Sequence, residues 1–182
     1  MALNGMANAA EAVDMRSGPV LGVLFVCTGN ICRSPTAEGV LRGLAEARGL
    51  AEALRIDSCG TYGYHVGEPP DERAQASAAA RGYDLSGLRA RKLEAADFES
   101  FDYILAMDKG HLQQLQHVMP VTSRAQLSLL MDFADGREGQ KVPDPYYGDA
   151  QGFERILDMI EEGCGALLDH LEQELRQAGS SR

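Results

Sequence analysis

Short runs made almost wholly of apolar residues alternate along this chain with longer stretches in which apolar residues return every three or four positions. The first run, "PVLGVLFV" (19–26), carries no charge and fits a strand buried on both faces, as in a parallel sheet covered by helices. Next comes "SPTAEGVLRGLAEAR" (34–48), where Ser34 as a cap, Pro35 at the first helical position, Glu38 in the first turn and Gly49 as a stop predict a helix. The pattern repeats. "LRIDSC" (54–59) reads as a strand, and "DERAQASAAARG" (71–82) as a helix entered through Pro69-Pro70 and closed by Gly82. "YILAM" (103–107) is a third strand, "DKGHLQQLQHV" a short helix and "AQLSLL" (125–130) a fourth strand. After the Gly- and Pro-rich stretch "MDFADGREGQKVPDPYYGDAQ", one apolar stripe runs through Phe153, Ile156, Leu157, Ile160, Cys164, Leu167, Leu168 and Leu171, predicting a final amphipathic helix with Cys164 in the core.

Such alternation calls for an α/β fold, a three-layer open sandwich with a parallel sheet and helices on both faces joined by right-handed crossovers. Ligands in these sheets bind beyond the carboxyl ends of the strands, where the strand order reverses. The end of the first strand, residues 27–34, is therefore the expected site. At 182 residues and 45% hydrophobic content, one domain is expected, over 19–176. The small, polar, aperiodic residues 1–18 read as a flexible N-terminal tail and 177–182 as a C-terminal tail.

The net charge of -10 argues against an electrostatic grip on nucleic acid or anionic lipid. No apolar run is long enough for a membrane span and no signal core is visible, so a cytoplasmic protein is expected. Cys27, Cys32, Cys59 and Cys164 are too few and too irregularly spaced for a disulfide framework, and no second Cys/His pair completes a zinc site. His65, His111, His117 and His170 lie on polar stretches and read as solvated side chains, so neither metal nor cofactor is expected.

The chemistry concentrates at the end of the first strand. Thr28, Gly29, Asn30, Ile31 and Cys32 between Cys27 and Arg33 are few enough to curl with their backbone N–H groups inward, as an anion-binding nest. Gly29 and Asn30 can supply the positive backbone angles such a ring needs. The helix starting near Ser34 aims its dipole at the same point, and Arg33 can close the ring with the donor fork best matched to phosphate. These surroundings favour the thiolate of Cys27, so a bound phosphoryl group would lie against a nucleophile. No P-loop lysine is present. Phosphoryl transfer from an oxygen ester also needs an acid for the leaving group. Asp144, between Pro143 and Pro145, is the candidate, with Tyr146 and Tyr147 as walls for an aromatic leaving group. An ordinary Asp-Pro turn with half-exposed tyrosines is the alternative.

"VLFVCTGNICRSP" together with "DPYYG", and with "GEPPDERA" and "FDYILAMD" between them, closely resembles the low-molecular-weight protein tyrosine phosphatases over roughly residues 20–175. The resemblance implies a four-stranded parallel sheet of order 2-1-3-4 and hydrolysis of phosphotyrosine through a cysteinyl-phosphate intermediate. By position it implies that Cys27 is the nucleophile, that Arg33 grips the phosphoryl oxygens, and that Asp144 is first acid and then base. It gives Asn30 and Ser34 the task of ordering the loop and supporting the thiolate. Cys32 matches a family cysteine that can form a disulfide with the nucleophile, with plain packing as the alternative. Tyr64, Tyr146 and Tyr147 match the pocket mouth. Arg81 stands where some relatives have a histidine supporting the loop's polar network, a departure that touches the details of that network. The expected partners are a phosphotyrosine protein or aryl phosphate as substrate and phosphate as a competing ligand.

Two rival readings remain at this level. A thiol-dependent arsenate reductase can share the fold and loop, but needs relay cysteines, and 60–163 contains none. A non-catalytic phosphate-binding module would need neither Cys27 nor Asp144.

Overall fold

A computed structural model of the chain describes residues 18–181, so the N-terminal tail expected over 1–18 lies outside the described residues except for Gly18. Four strands, β1 (Leu21–Cys27), β2 (Leu54–Gly60), β3 (Tyr103–Ala106) and β4 (Gln126–Leu129), pair in parallel in the order β2-β1-β3-β4. This is the sheet and the order expected. Among the described residues five α-helices accompany them: α1 (Arg33–Ala47), α2 (Glu72–Ala80), α3 (Asp97–Ser100), α4 (Lys109–Val118) and α5 (Ala150–Ser180).

Period-two alternation sorts the central strands between two cores. Val23 and Phe25 of β1 and Tyr103 and Leu105 of β3 pack with Val40 and Leu41 of α1 and with Ile160, Leu167 and Leu171 of α5. Leu24, Val26, Ile104 and Ala106 face the other way, onto Phe98 of α3 and Leu115 of α4. Both faces of β1 are covered and all seven of its residues are buried, which explains why its text shows no alternation of polarity. Truncating one of these large side chains, such as Leu24→Ala, should cost about 2–5 kcal/mol.

The strand ends shift by a residue or two, α3 lies where no element was expected, and two helix boundaries also differ. α1 begins two residues early, at Arg33 with Cys32 at the cap, so Ser34 is no cap and Glu38 lies beyond the first turn. Both are buried and serve the interior, as described below. α5 runs to Ser180, past residue 177 where a tail was expected. Leu175 is its last buried residue; beyond it the helix continues in solvent, each further residue adding a backbone bond. The hydroxyls of Ser180 and Ser181 bond back to Arg176 and Gln177.

Strand order decides what meets at the site. Because β1 lies between β2 and β3, the segments leaving all three carboxyl ends converge: the loop after Cys27, the turn after Gly60, and Asp108 after β3. Gly60 is needed for that convergence. A Cβ there would lie 2.7 Å from the Thr28 carbonyl oxygen, closer than real side chains come to backbone.

Candidate active site

The loop from Cys27 to Arg33 forms the floor of a cavity of about 210 Å³. Cys27, Thr28, Gly29, Ile31, Cys32 and Arg33 line it from below, and Tyr64, His65, Asp144, Tyr146 and Tyr147 form its sides. Every residue expected in the pocket by sequence is there except Asn30 and Ser34, whose side chains are buried behind the loop.

Asn30 has φ of 57°, the one non-glycine residue with positive φ among those described. Its side chain explains why asparagine rather than glycine stands there. The amide donates to Ser34 Oγ at 2.8 Å and Ser58 Oγ at 2.9 Å, and its oxygen accepts from the Arg91 backbone N–H at 3.0 Å. Gly29, expected to share the left-handed turn, does not have positive φ. Its lack of a side chain admits the His65 ring instead, whose Cδ2 lies 3.0 Å from where a Cβ would be. Among the described residues, no protein acceptor takes the backbone N–H of Gly29, Asn30, Ile31 or Cys32. Four donors at a helix N-terminus are what an oxyanion requires.

Ser34 Oγ lies 3.0 Å from Cys27 Sγ and 3.3 Å from the Cys59 carbonyl oxygen while receiving the Asn30 amide. The chain extends inward: Ser58 Oγ donates to Glu38 Oε2 at 2.5 Å, and Glu38 pairs with Arg42 at 2.7 Å. Burial raises the Glu38 carboxyl above its usual range, against the opposing pull of Ser58 and Arg42. Arg91 is anchored in turn by Asp57 and, through both terminal nitrogens, by Asp97.

Arg33 is 3% exposed. Nη1 donates to Asp108 Oδ2 at 3.0 Å and to the Val142 carbonyl at 3.1 Å, and Nη2 makes a long contact of 3.5 Å with Thr28 Oγ1. Asp108 also caps α4, accepting the His111 backbone N–H at 2.9 Å. Burial opposes the charge of Asp108, but that N–H together with His111 and Arg33 prevails and holds the carboxyl below its usual range.

Asp144 arrives from more than a hundred residues away on a turn closed by Gly148 N–H to the Pro145 carbonyl. Its Oδ2 lies 3.6 Å from Arg33 Nη2, and its Oδ1 accepts the Tyr146 N–H at 3.1 Å. Half of the side chain is exposed. Tyr146 and Tyr147 meet edge to face at 4.9 Å, and Tyr64 stacks on Tyr62 at 5.7 Å. Arg73 ties the turn to α2, donating to the Tyr146 carbonyl and lying over the Phe153 ring.

All four cysteines are free thiols. Cys32 packs with Ile31, Ala74 and Phe153, and burial, aided by Asp71, Cys27 and Asp144, pushes its thiol up to about 12. Cys59 and Cys164 are fully buried, and burial raises both thiols as well. Among the described residues no cluster of three His, Cys, Asp or Glu side chains is placed to hold a metal. No described helix is long and apolar enough to cross a membrane.

Residues 22–177 match the family model described as low molecular weight phosphotyrosine protein phosphatase. The chain belongs to that family. It is 40% identical over 149 residues to the human low molecular weight phosphotyrosine protein phosphatase, covering 81% of this chain and 93% of that one. Its fold superposes on YfkJ from Bacillus subtilis with a TM-score of 0.81 at 37% identity, covering 87% of this chain and 98% of the other. The protein tyrosine phosphatase from Entamoeba histolytica gives 0.80 at 38% identity, covering 85% and 98%. The loop over residues 27–33 and the turn that carries Asp144 both lie within the residues that the family model matches.

Four residues at the family site escape a reading of the sequence. His111, expected in solvent, is 4% exposed, and its Nε2 meets Thr28 Oγ1 at 2.8 Å. Asp108, Ser58 and Glu38 likewise support the loop from other elements. Asp108 carried a usable signal: it follows the third strand directly, at the sheet edge where ligands bind. Arg81 does not join the loop's network. It bridges to Glu154, Asp158 and Glu161 of α5, and the Arg91 backbone N–H is what completes the bonds of Asn30.

Proposed function

We propose that this phosphatase hydrolyses phosphotyrosine and other aryl phosphate monoesters through a cysteinyl-phosphate intermediate, in the cytoplasm, with inorganic phosphate as product and competing ligand. The observation that carries the proposal is the meeting of three groups in one cavity: the Cys27 thiol on its floor, the buried Arg33 fork beside it and Asp144 within 3.6 Å of that fork. The phosphoryl oxygens take the free N–H groups of the loop and the Arg33 fork. Cys27 Sγ attacks phosphorus in line with the ester oxygen, and the S–P bond forms as the P–O bond breaks. Until that attack the Ser34 hydroxyl, 3.0 Å from Cys27 Sγ, supports the thiolate by turning its one proton to sulfur from the more distant Cys59 carbonyl. Asp144 gives its proton to the departing phenolic oxygen. As a carboxylate it next takes a proton from water; the water oxygen attacks phosphorus, and the S–P bond breaks to return thiolate and phosphate.

Tyr64, Tyr146 and Tyr147 support an aromatic ester, since their rings rise above the loop as walls. The buried state of Cys59 and Cys164 tells against a disulfide relay of the kind an arsenate reductase uses. Free thiols fit a reducing compartment. The test compares phosphotyrosine and phosphoserine peptides on the wild type and on Cys27→Ser. Hydrolysis of the phosphotyrosine peptide alone, lost in Cys27→Ser while phosphate binding persists, is expected; appreciable turnover by Cys27→Ser would contradict the cysteinyl-phosphate route.

A further inference from the structure

His111 is buried at the site, yet no step above uses it. Its Nε2 is 2.8 Å from Thr28 Oγ1, on the residue next to the nucleophile. Its Nδ1 faces Asp108 Oδ1 at 3.2 Å without an aligned hydrogen bond, and the same oxygen accepts the His111 backbone N–H. A carboxylate at this distance repels an unprotonated ring nitrogen, so the proton of the neutral imidazole belongs on Nδ1 and Nε2 is an acceptor. Thr28 must then donate its hydroxyl proton to His111. That leaves only oxygen lone pairs of Thr28 facing the Arg33 fork, whose Nη2 is 3.5 Å away. With Arg33 Nη1 held by Asp108 at 3.0 Å, the contacts close a ring: Arg33, Asp108, His111, Thr28 and back to Arg33.

We propose that His111 is a positioning residue for phosphate binding: as neutral imidazole it fixes the Thr28 hydroxyl as an acceptor, and through it sets the Arg33 fork in the orientation that receives the phosphoryl oxygens. The proposal deepens the phosphatase reading and rests on it. The charged groups facing His111 are Asp108 on its own helix cap, Arg33 from α1 and Asp144 from the turn before α5. Burial and the Arg33 charge outweigh the two carboxylates and bring the imidazole down to about 4, so it is neutral at pH 7. Protonation would take away the acceptor and place a second cation beside Arg33.

Thr28→Val keeps the shape and removes the hydroxyl, His111→Phe keeps the bulk and removes the acceptor, and His111→Gln can restore one through its amide oxygen. Each variant and the Val/Phe double variant are compared by inhibition with inorganic phosphate and by KM and kcat for an aryl phosphate. A lost hydrogen bond of this kind should weaken phosphate and raise KM by about fivefold to tenfold, with a smaller change in kcat. The double variant should be no worse than either single one, because both break the same link, and His111→Gln should recover part of the loss. Independent, additive losses, or phosphate inhibition left unchanged, would overturn the proposal. Nitrogen NMR of His111 in the wild type adds a reading that no variant's folding can spoil: the Nδ1–H tautomer is expected at neutral pH, and Nε2–H would overturn the proposal. Should the wild type not hydrolyse aryl phosphates, the phosphatase reading fails, while calorimetric phosphate binding across the same variants still decides the role of His111.

Discussion

The loop over residues 27–34 and the turn over residues 142–149 face each other across one cavity but are built in opposite ways. In the first, Asn30, Arg33 and Ser34 are buried, and their side chains are bonded to groups from α1, β2, β3's exit and the strand-like segment at Arg91. In the second, Val142 is anchored through its backbone to Met107 and Arg33, but beyond it Asp144 is half exposed and Tyr147 94% exposed, and Arg33, Arg73 and one Asp144 hydrogen bond to the Tyr146 N–H hold the turn. The difference suits the two tasks proposed for them. Binding an anion and holding a nucleophile need donors fixed in advance, because reorganising them at the moment of reaction costs energy. Delivering a proton and admitting or releasing an aryl group need a part that can move.

Breaking the rigid half should cost both stability and activity. Asn30→Ala removes bonds to Ser34, Ser58 and the Arg91 backbone and leaves a Cβ residue at positive φ, a loss of about 3 kcal/mol by denaturant unfolding together with a steep fall in hydrolysis. Asn30→Gly should recover only the strain, about 1 kcal/mol, and little of the activity. If the two variants behave alike, strain is not what the backbone stores at this position. A second, smaller effect concerns pH. His111 falls from 6.5 to about 4 on folding, so between these values the unfolded chain binds the extra proton. Stability from this source is present above about 6.5 and is lost as pH falls toward 4. The pH slope of the unfolding free energy in that window should flatten in His111→Phe; an unchanged slope would mean that the imidazole titrates normally in the fold. The smallest effect belongs to the exposed half: Tyr147→Ala should leave stability within about 0.5 kcal/mol and raise KM for aryl phosphates severalfold. A loss of stability comparable to that of Asn30→Ala would erase the contrast between the halves.

How much of this was legible depends on how local each signal was. β1, the loop after it and α1 sit in fewer than thirty consecutive residues, so strand, glycine-asparagine turn and arginine all appear together in the text. The strand order came from family likeness, because nothing in the chain's own periodicity decides which strand lies beside which. Ser34 shows where a local rule fails. A serine before Pro35 looks like a cap, yet the helix begins two residues earlier, and the hydroxyl turns inward to Cys27 and Asn30. His111 failed for the complementary reason: its neighbours in sequence are polar, and it is buried only because β3 delivers α4 against the loop of β1. Glu38 and Ser58 are of the same kind, two residues from separate elements made partners by the pairing of β1 with β2.

If phosphate binding resides in the buried loop and proton delivery in the exposed turn, one substitution should separate them. Asp144→Ala tests this most directly when hydrolysis of an aryl phosphate series graded by leaving-group pKa is measured beside inhibition by inorganic phosphate. Esters with poor leaving groups should slow by about 10²–10⁴, esters with good ones far less, and phosphate should bind as well as before or better, since a carboxylate near Arg33 has gone. An equal loss across the series, or phosphate affinity falling with it, would contradict the division between the two loops.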